Sequence, residues 1–272
     1  MPEGDTVWLT AHRLGQALRD RPLTVFDLRV PALATRDRTG DVVTEVVSRG
    51  KHILIRLDSA LTLHGHLRMD GSWHLSSGAR PSRAHPEHMI RALLGNDDWT
   101  ATGFRIHDLA LVATPDESRL VGHLGPDLLG PDWDAERAVQ NLLAAPDRSI
   151  GEALLDQRNL AGIGNMYRAE ILFIERIHPW TAVGDVADLA SLTRTARRLL
   201  LMNRSHPEQS TTGYTQRGRE HWVYLRQNQP CLRCGAKIDA ADQGKPPHQR
   251  ISFWCPLCQP AQPRPGPKAD GD

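Results

Sequence analysis

Apolar residues recur at Val7, Ala11, Leu14 and Leu18, three or four apart, while Arg13, Arg19 and Asp20 fall on the other side. That period puts one apolar stripe on a helix, so the spacing predicts a helix over residues 5–20, stopped by Pro22. From residue 23 to about 112 the pattern shortens. Residues 24–30, 42–47, 52–57 and 61–67 are rich in β-branched and apolar side chains and are separated by Gly, Asp or Ser, which predicts strands. The run His52-Ile53-Leu54-Ile55-Arg56-Leu57 is mostly apolar, as in a strand covered on both faces. Residues 89–94 and 109–113 predict two more strands, and the Pro- and Arg-rich stretch 79–88 a loop. Short antiparallel strands at this spacing point to a β-sandwich.

Gly125-Pro126 and Gly130-Pro131 mark a break, and beyond them the pattern turns helical. Helices are predicted over 135–144, 150–157, 165–175 and 189–202. The third carries Met166, Ala169, Ile171, Leu172 and Ile174 as its apolar surface, and the fourth has Arg194, Arg197 and Arg198 on its polar side. The expected fold class is α+β. An N-terminal helix and antiparallel β-sandwich occupy 1–125, a helical domain 126–222, and a cysteine-bearing module 223–260. The tail 261–272, rich in Pro, Gly, Lys and Asp, is expected to be disordered.

The cysteines change this picture most. All four lie near the C-terminus, as Cys231-Leu232-Arg233-Cys234 and Cys255-Pro256-Leu257-Cys258. Two C-x-x-C pairs at this spacing close a tetrahedral site, so one structural Zn²⁺ is expected, with no ligand position open to water. The segment between the pairs is expected to form a hairpin from which Arg250 projects.

A chain of 272 residues can bury a large core. It has no apolar run of the roughly 18 residues that span a bilayer, and its start lacks a basic region followed by an apolar stretch. The protein is therefore expected to be cytoplasmic, without membrane contact. Net charge is only +1, but it is unevenly spread. Residues 1–136 hold 15 Lys and Arg against 19 Asp and Glu, and residues 137–272 hold 18 against 13. The C-terminal half is the better footprint for a polyanion, and the preference for Arg over Lys suits planar contacts with phosphate.

Chemistry-bearing residues are few. Met1 precedes Pro2, a small residue that permits trimming, so Pro2 is expected to end the mature chain with a free secondary amine. An α-amino group has a pKa of about 8, so a useful fraction is neutral near pH 7 and can attack a sugar aldehyde carbon. Glu3 stands beside it as an acid or base. Lys51, in Ser48-Arg49-Gly50-Lys51-His52, lies at the mouth of a predicted strand, where it can reach phosphate. In Leu160-Ala161-Gly162-Ile163-Gly164-Asn165-Met166-Tyr167 the glycines allow a tight turn with exposed N–H groups before a helix N-terminus. Gly164 and Asn165 are thus candidate phosphate contacts. In His64-Gly65-His66-Leu67-Arg68-Met69-Asp70-Gly71-Ser72, Met69 lies in a predicted turn, where an apolar side chain can fill the hole left by a flipped nucleotide. Arg68 beside it is a further candidate DNA contact.

Taken in order, these residues resemble the formamidopyrimidine-DNA glycosylase/endonuclease VIII family of base-excision repair enzymes. The resemblance is carried by Pro2-Glu3-Gly4, Arg49-Gly50-Lys51, Leu155-Asp156-Gln157 through Tyr167 (a helix-two-turn-helix), Arg250, and Phe253-Trp254-Cys255-Pro256-Leu257-Cys258-Gln259. It implies a bifunctional glycosylase/AP lyase acting on damaged DNA as a monomer. Pro2 would attack C1′ and form a Schiff base, Glu3 would supply a proton, and Lys51 would contact phosphate and help the proton transfers. Arg250 and Asn165 would grip the phosphates beside the lesion, and β- then δ-elimination would cut the strand. The purine-specific branch usually carries an Arg-x-Phe-Gly stretch that supports the wedge; here the comparable stretch reads Gly103-Phe104-Arg105-Ile106. That branch also has a long capping loop after a Thr-Thr pair, whereas Thr211-Thr212 is followed closely by Trp222-Val223-Tyr224. These departures, with the opening Pro2-Glu3-Gly4-Asp5-Thr6, favour the endonuclease VIII branch and oxidised pyrimidines. Two alternatives remain open at this point: a guanine-lesion glycosylase of the same family, and a non-catalytic zinc-dependent DNA-binding protein.

Overall fold

The computed structural model describes residues 2–78, 80–247 and 249–261, so the tail expected to be disordered falls, but for residue 261, outside the described residues. The chain groups into two compact units. The first holds residues up to 134 with 160–162 and 200–207; the second holds 135–159, 163–199 and 208 onward.

The first unit opens with α1 (Gly4–Leu18) and continues through β1 (Val25–Leu28), β2 (Val43–Arg49), β3 (His52–Leu57), β4 (Leu61–His66), β5 (Ser72–Ser77), β6 (Ile90–Gly95), β7 (Trp99–Phe104), β8 (Asp108–Ala113) and a single turn, α2 (Ser118–Val121). The strands make two antiparallel sheets, ordered β1-β6-β7-β5 and β2-β3-β4-β8. Val7, Ala11, Leu14 and Leu18 do form one face of α1. They are buried in a common core with Phe26 and Leu28 of β1, Ile53 and Ile55 of β3, Leu63 of β4, Leu94 of β6 and Ala101 of β7. Each of the larger side chains adds about 1.5–3 kcal/mol through burial. The far end of α1 is closed by Asn96, whose Nδ2 donates to the Ala17 carbonyl at 2.9 Å while its Oδ1 accepts the N–H groups of Asp98 and Trp99.

Two strands of the sandwich were not predicted. β5 (Ser-Trp-His-Leu-Ser-Ser) is partly buried along most of its length, and its apolar alternation is only two residues long, Trp73 and Leu75. β7 (Trp-Thr-Ala-Thr-Gly-Phe) lies inside its sheet and is buried after Trp99, but its middle four residues are Thr, Ala, Thr and Gly. Its threonines serve the loop above: Thr102 Oγ1 accepts the Ser82 N–H, and Thr100 Oγ1 donates to the Gly78 carbonyl.

The second unit contains α3 (Ala135–Leu143), α4 (Ile150–Ala153), α5 (Asn165–Ile174), most of α6 (Leu189–Asn203), and the hairpin β9 (Asp239–Gln243) and β10 (Arg250–Trp254). The helix expected over 150–157 stops at Ala153. Asp156 Oδ1 takes the Arg158 N–H, and Gln157 Nε2 donates to the carbonyls of Leu155 and Ile163, so local side chains capture backbone groups that a longer helix would pair. α5 is buried from Asn165 to Phe173, polar residues included. Its Glu170 carboxylate accepts the N–H groups of Trp222, Val223 and Tyr224 and the Thr211 hydroxyl. The cysteine module shares a core with this helix: Ala169 and Phe173 pack with Val223, Cys231, Ile238, Phe253 and Cys255. The Arg233 guanidinium lies 4.3 Å from the Phe173 ring centroid. No helix among the described residues is long and apolar enough to cross a membrane.

Candidate functional site

In the first unit the chain start is held by glycine packing. Glu3 is extended and fully buried, its carbonyl accepting the Val7 N–H, and Pro2 is half-buried. The Gly4 N–H donates to the Gly162 carbonyl at 2.9 Å. A Cβ on Gly4 would lie 2.9 Å from Gly162 Cα and 3.1 Å from Leu200 Cδ2, so no other residue fits without moving the chain start. Gly162 itself has φ +112°, a conformation that needs glycine.

The same short segment receives the Lys51 hairpin. β2 and β3 pair from Arg49 to His52, leaving Gly50 and Lys51 as a two-residue turn with glycine, at φ +59°, in the first central position. A Cβ on Gly50 would meet Ala161 Cβ at 3.1 Å and lie 3.8 Å from the Gly162 nitrogen. The buried Asp127 carboxylate accepts the Gly50 N–H at 2.7 Å and the Leu129 N–H at 3.0 Å. Burial pushes the Asp127 carboxyl above the usual carboxylate range, against the pull of those donors. Arg49 closes the arrangement, donating to the Gly125 carbonyl at 3.0 Å and pairing with Asp132 at 2.9 Å. Gly4 and Gly50, the neighbours of Glu3 and Lys51, thus pack against one short segment, Gly4 on Gly162 and Gly50 on Ala161.

Behind Lys51 lies a histidine cluster. His52 Nδ1 is 2.8 Å from His64 Nε2, and the His52 and His66 ring centroids are 4.7 Å apart. His66 Nδ1 accepts the Arg68 N–H at 3.0 Å. Burial pushes His52 down to about 3 and His66 down to about 4, so both rings are neutral at pH 7.

Met69 sits 61% exposed at the tip of the β4–β5 turn, above a buried Leu67 whose carbonyl accepts the Gly71 N–H. Ion pairs brace the turn on both sides. Arg68 grips Asp108 with two hydrogen bonds of 2.6 and 2.8 Å, and Asp70 faces Arg105 at 3.7 Å and His107 at 3.4 Å. Arg68, a candidate DNA contact, therefore already has a carboxylate partner, although its side chain stays more than half exposed.

In the second unit, Gly164 is the extended residue that opens α5, with no side chain capping the helix start. Asn165 follows, only 9% exposed, and its Nδ2 donates to the Ile251 carbonyl at 3.0 Å. Arg250 is the exposed first residue of β10, paired across the hairpin with Gln243. The ligand atoms of Cys231, Cys234, Cys255 and Cys258 lie within 4.8 Å of one another, with Cys234 and Cys255 sulfurs 3.5 Å apart. A tetrahedral ion with bonds of about 2.3 Å holds sulfurs about 3.8 Å apart, so the four fit a single metal ion. Burial pushes the Cys258 thiol up to about 12, so four thiolates need a cation among them.

Gly162, Asp127 and the Arg105/His107 brace were not singled out from the sequence as such. The Gly-Ile-Gly spacing signalled a tight turn but not that Gly162 packs against Gly4. Nothing local marks Asp127, which lies in what reads as a linker.

Comparison with known proteins gives a consistent result. The formamidopyrimidine-DNA glycosylase N-terminal domain matches residues 1–107, and the formamidopyrimidine-DNA glycosylase H2TH domain matches residues 124–208. The chain is 53% identical over 270 residues to the probable endonuclease 8 2 of Streptomyces coelicolor, covering 98% of this chain and 97% of that one. It is 48% identical over 265 residues to endonuclease 8 2 of Mycobacterium tuberculosis, covering 95% of this chain and all of that one. Among solved structures, the Lactococcus lactis Fpg in complex with DNA containing an abasic site superposes with a TM-score of 0.78 at 21% identity, over 95% of this chain and 100% of that one.

Proposed function

The chain belongs to the formamidopyrimidine-DNA glycosylase/endonuclease VIII family, and from that premise we propose that it is a bifunctional DNA glycosylase/AP lyase that removes oxidised pyrimidines. The observation that carries this reading is the packing of Gly4 on Gly162 and of Gly50 on Ala161, which holds Pro2-Glu3 and Lys51 against one short segment. Removal of Met1 frees the Pro2 nitrogen. Its lone pair attacks C1′ of the damaged nucleotide, and the C1′–N bond breaks with the electron pair leaving on the base. Glu3 protonates the ring oxygen as the sugar opens, giving an iminium between Pro2 and C1′. The iminium acidifies the C2′ proton, whose loss expels the 3′ phosphate; a second elimination expels the 5′ phosphate. Lys51 stabilises a phosphate and assists the proton transfers.

Met69 fills the space left by the extruded nucleotide, and Arg68 lies beside it against the DNA. The α5 start at Gly164 and Asn165, together with Arg250, takes the phosphates beside the lesion. Zn²⁺ is the ion that suits four cysteines; it supplies structure, keeping the hairpin that carries Arg250 folded. The protein acts as a monomer in the bacterial cytosol, with damaged DNA as its partner.

Borohydride reduction tests this reading. Protein with a native Pro2 terminus should be trapped covalently on abasic or thymine-glycol duplex, whereas protein whose terminus is blocked by added residues should not. Equal trapping by the blocked form would overturn Pro2 as nucleophile. A second reading, excision of guanine lesions, is favoured by one observation: Arg105 is braced through Asp70 beside Met69, much as an Arg supports the wedge in the purine branch. The short stretch between Thr212 and Trp222 weighs against it. Competition between 8-oxoguanine and 5-hydroxyuracil duplexes separates the two.

A further inference from the structure

Arg168 is the largest of the fully buried side chains, 1% exposed in the middle of α5. A buried guanidinium is costly unless its donors are used, and one use is plain: Nη2 donates to the Ile251 carbonyl at 2.8 Å. The same carbonyl accepts Asn165 Nδ2 at 3.0 Å. Residues 165 and 168 stand one turn apart on one face of α5, and a carbonyl oxygen has two lone pairs. Both acceptor directions of one peptide group on β10 are therefore filled from a single helix. That peptide follows Arg250 directly, at the end of the hairpin where strand pairing with Gln243 begins.

We infer that Arg168 is a positioning residue for Arg250: with Asn165 it clamps the Ile251 carbonyl and so fixes where the Arg250 side chain leaves the cysteine module. The hydrogen bonds at both ends of the clamp join buried, rigid parts. Ser252, the next residue, is itself buried and donates to Gln243 Oε1 at 2.6 Å, and Gln243 Nε2 donates to the Pro179 carbonyl and to Ser149 Oγ. Arg250, at this corner, is exposed, and its Nη1 donates to the Gln249 carbonyl at 2.9 Å. The metal would fold the module, while the clamp sets the direction of the Arg250 cation at its edge. This deepens the proposed lyase reading and rests on it for what Arg250 grips.

The test is a double-mutant cycle on the full zinc-loaded chain. Arg168→Met keeps the length of the side chain and removes its donors. Binding to a duplex carrying a tetrahydrofuran abasic analogue is measured by fluorescence anisotropy across a salt series. R168M is expected to bind about tenfold more weakly, with one zinc per chain retained. Its salt slope should fall by about one phosphate contact, as for Arg250→Ala, because the cation is no longer aimed. R168M added to R250A should cost nothing further, since both remove the same contact. R168K, which keeps a donor, should restore most of the affinity. Wild-type affinity in R168M, or losses that add in full with zinc retained, would overturn the clamp. Should R168M lose its zinc, Arg168→Gln replaces it in the cycle, and the same coupling with R250A is required. A wild-type chain that binds the duplex but gives no borohydride adduct overturns the lyase reading and leaves the clamp standing. One that does not bind at all overturns both.

Discussion

Gly4 and Gly162 meet backbone to backbone, with the Gly4 N–H on the Gly162 carbonyl at 2.9 Å and no room for a Cβ on Gly4. The contact ties the chain start to a segment that also supports Lys51. Gly162→Ala should therefore damage the chemistry first. Alanine at φ +112° is strained by about 1–3 kcal/mol, and its Cβ would press on Leu200 Cδ2 at 3.2 Å. A shift of about 1 Å in a reacting group can cost about a hundredfold in rate. Single-turnover lyase assays should show a loss of that order with zinc content unchanged. A variant that forms the borohydride adduct at the normal rate would mean that Gly162 does not hold the nucleophile.

Much of this arrangement was legible from local pattern. The 7/11/14/18 stripe located α1, the apolar run 52–57 located β3, and the paired C-x-x-C motifs located the four-cysteine cluster, because each signal is repeated within a few residues. Pro2, Glu3 and Lys51 could be singled out for the same reason: each stands in a short stretch with chemistry of its own. β5 and β7 were not legible: β5 sets only two apolar side chains, Trp73 and Leu75, against the core, and the inner positions of β7 are Thr, Ala and Gly, with its threonines bonded to the backbone at 78 and 82. The contacts of Gly162 with Gly4, Asp127 with Gly50, and Arg168 with Ile251 join residues more than 70 positions apart. No periodicity encodes such pairings, so only the folded chain reveals them.

The histidine cluster behind Lys51 sets an acid limit. His52 and His66 are held neutral, with values pushed to about 3 and about 4, against about 6.5 in an unfolded chain. The unfolded state therefore takes up protons first. The stability contributed by the two rings is complete above about pH 6.5 and is lost as pH falls toward 4 and then 3. The slope is about 1.4 kcal/mol per pH unit for each ring. Urea midpoints measured from pH 7 to 4.5 should fall, and His52→Gln, neutral throughout, should flatten the curve. An unchanged slope in H52Q would show that other groups govern the acid limb.

Metal removal should act on the second unit before the first. Cys231 and Cys255 are buried in the same core as Ala169 and Phe173, so loss of the ion loosens α5 as well as the hairpin. A strong chelator should abolish binding to abasic duplex and collapse the salt dependence that Arg250 contributes. Far-UV dichroism should keep most of its β-sheet signal, since the sandwich core contains no cysteine. Retained tight binding after complete zinc loss would contradict the role given to the module.

Leu225 offers a gain in stability. The Arg226 N–H donates to the Val223 carbonyl at 3.1 Å, closing a four-residue turn in which Leu225 is the third residue, at φ +56°. With positive φ at that position alone, the turn is type II, which asks for glycine there. A non-glycine residue in this conformation costs about 1–2 kcal/mol. Leu225 is 67% exposed, so little burial offsets the strain. Leu225→Gly removes the strain but frees the unfolded chain, at a cost of about 0.5–1 kcal/mol. The net effect should be stabilisation by about 0.5–1 kcal/mol, seen as a higher urea midpoint with an unchanged slope. A lower midpoint would mean that the exposed leucine makes a stabilising contact strong enough to outweigh its backbone strain.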